Sequence, residues 1–247
     1  MEGGRLLFAT KDNPYENLAL EEAILSCCKR FTLRLWENQE SVVIGRGQIA
    51  ALETDLDACI KNKIPIVRRI TGGGAVYNGP GNLNWSFFIP SGYIADEIYF
   101  TTSPRELIRK VGTFMARCFS ALGCFSTFKE RGIYSESGKI SGISAYISRD
   151  RALCHGTLLV DANLQLVEKL TTPKPTLSDK KYVRSNFVTV SNSGIKKKEL
   201  ISLLADLLSL EDYTDAEDYN ERELCKMLTR DKYIKESWNL GDPFEFE

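Results

Sequence analysis

Two short stretches hold the residue types that could do chemistry. In the first, Arg68 and Arg69 run through Ile70 and Thr71 into Gly72, Gly73 and Gly74, followed by Ala75, Val76 and Tyr77. Clustered glycines let the backbone approach a ligand closely, and successive N–H groups can form an anion-binding nest. An arginine beside them could add charge-assisted hydrogen bonds to a carboxylate or phosphate. Strand alternation places Arg68 and Arg69 on opposite faces, so one of the two is expected to reach the site. The run is not a Walker A loop, for no Gly-Lys-Ser/Thr follows. It is not a dinucleotide fingerprint either, for no GxGxxG opens a helix. A turn or bulge needs fewer than three glycines in a row, and the run is read as a ligand loop. The second stretch is Gly138-Lys139-Ile140-Ser141-Gly142, with His155-Gly156-Thr157 beginning sixteen residues after the lysine. A lysine among small residues at a strand end can lean over a ligand as a fixed cation.

These stretches do not stand alone. Together with NPYENLALEEAI (13–24), WENQESVVIGRGQ (36–48), VRRITGGGAVYNGPGN (67–82), GKISGISAY (138–146), HGTLLVDANL (155–164) and VRSNFVTV (183–190), they resemble the lipoate–protein ligase family. That family lies within the superfamily of biotin ligases and octanoyltransferases. The resemblance implies an α+β fold of mixed β-sheets flanked by helices, like the biotin/lipoate ligase catalytic domain. It implies a two-step reaction: lipoate and ATP, with Mg²⁺, give lipoyl-adenylate, and the lipoyl group passes to a specific lysine. The acceptor would be a lipoyl domain of a 2-oxoacid dehydrogenase E2 or a glycine-cleavage H protein. By motif position Lys139 is the catalytic cation, contacting acyl carbonyl and α-phosphate. Arg69, Gly73, Gly74, Ala75, Val76, Tyr77 and Asn82 match the nucleotide and acyl-adenylate site. Glu21, Trp36, Leu153 and His155 match the lipoyl slot, and no residue is assigned as a metal ligand.

The chain departs from the family pattern in places. Asn78-Gly79 stands where members have His-Asp, and no Asn-Asp pair occurs in KERGIYSESG (129–138) ahead of the lysine. Those polar residues are expected near nucleotide and metal. Residues 1–241 are expected to form the catalytic domain, with 242–247 a short tail where longer relatives continue into an accessory domain. Either a separate accessory subunit would then supply that domain for activation, or the chain would work without it. Two other readings stay open. One is an ATP-independent octanoyl or lipoyl transferase between carrier proteins using Cys154 as nucleophile. The other is a lipoate or nucleotide binder without catalysis.

The elements that must position these residues follow from pattern. RLLFA (5–9), TLRLW (32–36), SVVIG (41–45) and IPIVRRI (64–70) read as strands, as do 84–89, 139–147 and 154–160. Asn13-Pro14 opens a helix reaching about Lys29, and Asp55–Lys63 reads as a short one. Ser103–Leu122 is an amphipathic helix with Pro104 in its first turn and Gly123 after its end. Lys196–Leu208 and Tyr219–Leu228 are further helices, and the final residues show neither period. Strands and helices mix without regular βαβ alternation, which again favours α+β.

Composition bounds the rest. The 247 residues carry 32 Lys+Arg against 33 Asp+Glu, a net charge of −1, which gives no global reason to bind nucleic acid or an anionic membrane. The single histidine, His155, excludes multi-histidine zinc sites and the two-histidine iron triad. Seven cysteines without a CxxC pair argue against a disulfide framework or thiolate zinc. No signal peptide or membrane span is visible, and a cytoplasmic protein is expected.

Overall fold

The computed structural model describes residues 3–94, 98–171 and 182–242. In chain order the elements are β1 (Gly4–Leu7), α1 (Pro14–Cys27), β2 (Thr32–Trp36), β3 (Ser41–Ile44), α2 (Ala50–Glu53), α3 (Leu56–Lys61), β4 (Ile66–Arg68), β5 (Val76–Asn78), β6 (Asn82–Pro90) and α4 (Pro104–Ala121). They continue with β7 (Ser126–Lys129), β8 (Gly132–Ser135), β9 (Gly138–Ile147), β10 (Arg151–Leu159), α5 (Leu164–Leu170), α6 (Lys197–Leu207), β11 (Leu210–Thr214), α7 (Tyr219–Leu228) and α8 (Glu236–Leu240), the last two joined by a π turn at Thr229–Tyr233.

Eight strands form a mixed sheet in the order β11-β1-β2-β6-β10-β9-β8-β7, and three form a second sheet, β4-β3-β5. β1 runs parallel to both β11 and β2, whereas β2, β6, β10, β9, β8 and β7 alternate antiparallel. The fold is therefore α+β with mixed sheets, as expected.

One face of the large sheet packs Leu33, Trp85, Phe87 and Cys154 against Leu107, Val111 and Met115 of α4 and Leu200 and Leu204 of α6. The other face packs Leu7, Trp36, Phe88 and Leu153 against Leu20, Ile24 and Leu25 of α1 and Cys225 of α7. Each fully buried side chain of this size contributes roughly 1.5–3 kcal/mol. Asn13 caps α1 by accepting from the Glu16 amide, with Pro14 at its first position. Ser103 does the same for α4 through the Glu106 amide. α1 is apolar on most of its circumference because α7 and the π turn cover the side the sheet leaves open.

The structure adds elements that periodicity missed. β7 and β8 form a hairpin within a stretch expected only to lead up to the lysine. β11, sequence LEDYT, carries two acids and pairs only because β1 offers it a parallel edge. The ending, read as aperiodic, forms α8 beneath β4. Of the expected tail at 242–247, only Asp242 lies within the described residues.

Candidate active site

The two arginines part as strand geometry demands, and both are fully committed. Arg68 turns away from the cavity. Its guanidinium donates to the carbonyls of Gly45, Arg46, Gln48, Trp238, Asn239 and Gly241. The Trp238 indole in turn donates to the Arg68 carbonyl at 2.9 Å. The residue thus ties α8 and the loop after β3 onto β4.

Arg69 faces the cavity but spends its donors on the glycine loop. It reaches the carbonyls of Val43 at 3.1 Å, Gly72 at 2.7 Å and Gly74 at 2.8 Å, and the Thr71 hydroxyl at 3.0 Å. Burial pulls its pKa down to about 10, so it stays charged near neutrality. Arg69 thus holds two of the loop's carbonyls. The N–H groups of Gly72, Gly73 and Gly74 have no acceptor among the described residues. Gly73 sits at φ 92°, a conformation that costs a side-chain-bearing residue dearly. This is an anion nest held open by a buried arginine.

The loop forms one wall of a cavity of about 700 Å³ that also touches Trp36, Val43, Lys139, Ser144, His155 and residues 183–188. Lys139 lines the same cavity. Its side chain lies across two glycines paired on β8 and β9, Gly132 and Gly142: a β-carbon at 132 would sit 2.6 Å from Lys139 Cε. The ammonium has no hydrogen-bond acceptor or ion pair among the described residues. Desolvation, with a smaller contribution from the charge of Arg69, lowers its pKa below 10.5. A half-buried cation with no acceptor, in the same cavity as three unpaired amides, suits an anion.

The far end of the cavity is set by a chain of hydrogen bonds. The Trp36 indole donates to Ser86 Oγ at 3.0 Å, and Ser86 donates to Glu21 at 2.6 Å. His155 Nδ1 lies 2.9 Å from both Glu21 oxygens, and its Nε2 lies 2.7 Å from Thr71 Oγ1. Glu21 accepts from the imidazole Nδ1–H, and Thr71 Oγ1, which also accepts from Arg69 Nε, is the partner of Nε2. The acyl-slot candidates and the glycine loop are thus joined in one network. Within it Trp36 and His155 reach the cavity wall. Glu21, 1% exposed, stands one layer behind them.

Two expected residues are placed elsewhere. Leu153 is fully buried in the core against α1, beneath the cavity floor and off its lining. Asn82 is likewise off the lining: it is fully buried, and its amide donates to the Tyr77 carbonyl at 2.8 Å. Gly73, Gly74, Ala75, Val76 and Tyr77 all line the cavity.

A support assigned no role in advance lies behind the loop. Glu53, fully buried at the end of α2, accepts from Gln48 Nε2 and from the Ser185 amide, each at 2.8 Å, and pairs with Arg184. Ser185 Oγ then accepts from the Ala75 amide at 2.9 Å. The 182–190 segment is so strapped over the loop, and its far end pairs with β9 where Lys139 N donates to Thr189 O at 2.9 Å. Gln48 and Ser185 fall inside matched motifs, but only their convergence from 137 positions apart reveals the strap.

Cys154 is fully buried on the opposite sheet face from His155, among Trp85 and Phe87, and desolvation raises its thiol pKa strongly. It can neither touch the cavity nor ionise readily, which removes the nucleophile of the carrier-to-carrier alternative. Among the described residues no three His, Cys, Asp or Glu side chains gather to hold a metal. The buried Asn78 and Asn82 Oδ1 atoms do lack donors. Of the two only Asn78 lines the cavity, where a neutral amide oxygen suits a Mg²⁺ ion bound mainly by substrate phosphates and water.

The cavity thus brings together a glycine loop with open amides, a lysine ammonium without an acceptor and an aromatic wall, and the comparisons give the family. The chain belongs to the lipoyl protein ligase A/B catalytic domain family, whose model matches residues 13–195. It is similar to lipoate-protein ligase A subunit 1 of Thermoplasma acidophilum, 30% identical over 264 residues that cover 98% of this chain and 97% of that one. A crystal structure of lipoate-protein ligase A bound with ATP superposes with a TM-score of 0.80 at 26% identity, covering 97% of this chain and 99% of the other. The bipartite lipoate protein ligase of T. acidophilum, solved with its E2 lipoyl domain, gives 0.78 at 26% identity, covering 98% and 97%. The molecule is an enzyme of the lipoate–protein ligase kind. None of its described helices is long and apolar enough to cross a membrane.

Proposed function

We propose that the chain activates lipoate with ATP and transfers the lipoyl group to a lysine of a lipoyl domain or H protein. The observation that carries this is the Lys139 ammonium, without an acceptor, in one cavity with the open amides of Gly72, Gly73 and Gly74. A lipoate carboxylate oxygen attacks the α-phosphorus of ATP, and the bond to the bridging oxygen of pyrophosphate breaks. Attack of one anion on another needs fixed positive charge and N–H donors at the α-phosphate, which Lys139 and the glycine loop supply. Lys139 acts as a charged clamp and not as a base. In the second step the acceptor ε-amine attacks the acyl carbonyl, AMP leaves, and the amine proton is lost to solvent or to AMP.

The acyl chain would lie along Trp36 and Val43, with His155 fixed by Glu21 at the far wall. Mg²⁺ carried on the triphosphate would neutralise phosphate charge, and Asn78, which lines the cavity with an Oδ1 that has no donor, is the residue that would hold it or its waters. Catalysis would reside in residues 1–241, with a second polypeptide as accessory subunit. Support for that arrangement is the near-complete mutual coverage with subunit 1 of the T. acidophilum ligase. None of the seven cysteines forms a disulfide, which suits a reducing cytoplasm.

The test is incubation with ATP, lipoate and an apo lipoyl domain, with and without a candidate accessory subunit, read by mass. A mass gain of one lipoyl group on the acceptor is expected. Absence of both lipoyl-AMP and modified acceptor under every combination refutes the proposal.

A further inference from the structure

We propose that Arg131 is a second phosphate-binding cation of this site, directed at the β- and γ-phosphates of the nucleoside triphosphate; this rests on the ATP-dependent reading above. Arg131 and Glu130 form the two-residue tip of the β7–β8 hairpin, between the paired residues Lys129 and Gly132. Glu130 takes φ 57°, and the Ile143 amide donates to the Arg131 carbonyl at 2.9 Å. The backbone of the tip is thus pinned to β9 while the exposed Arg131 side chain borders the cavity.

Its guanidinium has no hydrogen-bond or ion-pair partner among the described residues, not even its neighbour Glu130. It lies close enough to Arg69 for its charge to disfavour that group's protonation. Arg69 has already spent its donors on carbonyls, so it gives a phosphate its field but few hydrogen bonds. Lys139 is a single ammonium, suited to one phosphate. A triphosphate brings several negative charges, and no cluster of carboxylates is present among the described residues to fix a metal against them. A planar guanidinium on a rigid tip, next to the glycine over which Lys139 passes, supplies the missing bidentate donor for the departing pyrophosphate.

The experiment is calorimetric titration of the full chain with Mg-ATP, with AMP and with lipoate, in wild type, Arg131→Gln and Arg131→Lys. Thermal melting serves as the folding check. Arg131→Gln is expected to weaken ATP binding about tenfold, to leave AMP and lipoate within twofold, and to flatten the salt dependence of ATP binding. Arg131→Lys is expected to recover part of the loss. Unchanged ATP affinity in Arg131→Gln, or an equal loss for AMP, overturns the assignment. A wild-type chain that binds no ATP overturns the ATP-dependent reading itself, an outcome distinct from failure of Arg131 alone.

Discussion

His155 Nδ1 lies 2.9 Å from both carboxylate oxygens of Glu21, which sits 134 positions earlier in the chain. Burial pushes the Glu21 carboxyl upward. The charge and hydrogen bond of His155, the Ser86 hydroxyl and the Arg34 guanidinium outweigh that and hold it below its ordinary value of 4.5. A buried anion held in this way fixes the imidazole plane and, through Thr71, the glycine loop.

Glu21→Gln keeps the shape and removes the charge. A depressed carboxyl pKa stabilises the fold above the unfolded-state value and ceases to do so as pH falls through the folded-state value. At pH 7 the variant should therefore be less stable, by about 1–3 kcal/mol. The gap should narrow as pH drops below 4.5. Melting curves of both proteins across pH 3–8 (roughly the range of carboxylate titration) check this; a gap independent of pH would show that the charge is not what matters.

Lys139→Ala should abolish lipoyl-AMP formation, a loss on the order of 10²–10³-fold, while leaving melting nearly unchanged. Undiminished pyrophosphate release contradicts the role given to it. Since desolvation and Arg69 lower the ammonium pKa, wild-type activity should fall on the alkaline side before an ordinary lysine would titrate.

Gly132→Ala tests the path of that side chain. The added β-carbon meets Lys139 Cε at 2.6 Å, the mobile end of a flexible chain, with Ser141 O at 3.1 Å. The expected outcome is a tenfold or larger drop in adenylation, on the order of 1.4 kcal/mol or more at the transition state, with a smaller effect on stability. Equal activity in this variant would mean that Lys139 is not positioned by the glycine pair.

Glu53→Ala cuts the strap over the loop. Gln48, Ser185 and Arg184 lose a shared buried acceptor, a change worth about 3–5 kcal/mol. Hydrogen exchange should quicken at residues 183–190 and in the glycine loop, and the KM for ATP should rise. Unaltered exchange at Ala75 would dissociate the strap from the loop.

Cys154→Ala should leave ligase turnover within about twofold and cost roughly 1 kcal/mol through lost packing. Iodoacetamide should not label Cys154 in the native chain, because the thiol is fully buried and resists ionisation. Rapid inactivation traced to this residue would restore the transferase alternative.

By itself the sequence determined the parts whose cause is local. Asn13-Pro14 and Ser103-Pro104 announce their helices because caps act within four residues, and TLRLW reads as a strand because its side chains suit a buried pleat. The separation of Arg68 from Arg69 follows from a period of two. The glycine run reads locally as a ligand loop, whereas the role proposed for Lys139 comes from the family resemblance of motifs spread over the whole chain. Tertiary structure decided what distance along the chain conceals. Arg69 proves to be a scaffold for carbonyls, Leu153 and Asn82 fall behind the cavity, and Glu53 joins Gln48 to Ser185. Arg131 reaches the cavity only because the β7–β8 hairpin folds back over β9. In each case the partner of a buried polar group is dictated by which strands become neighbours, and that choice is made by the whole core at once. The motifs in their order pointed to the family, and the packing decided which of their residues reach the cavity.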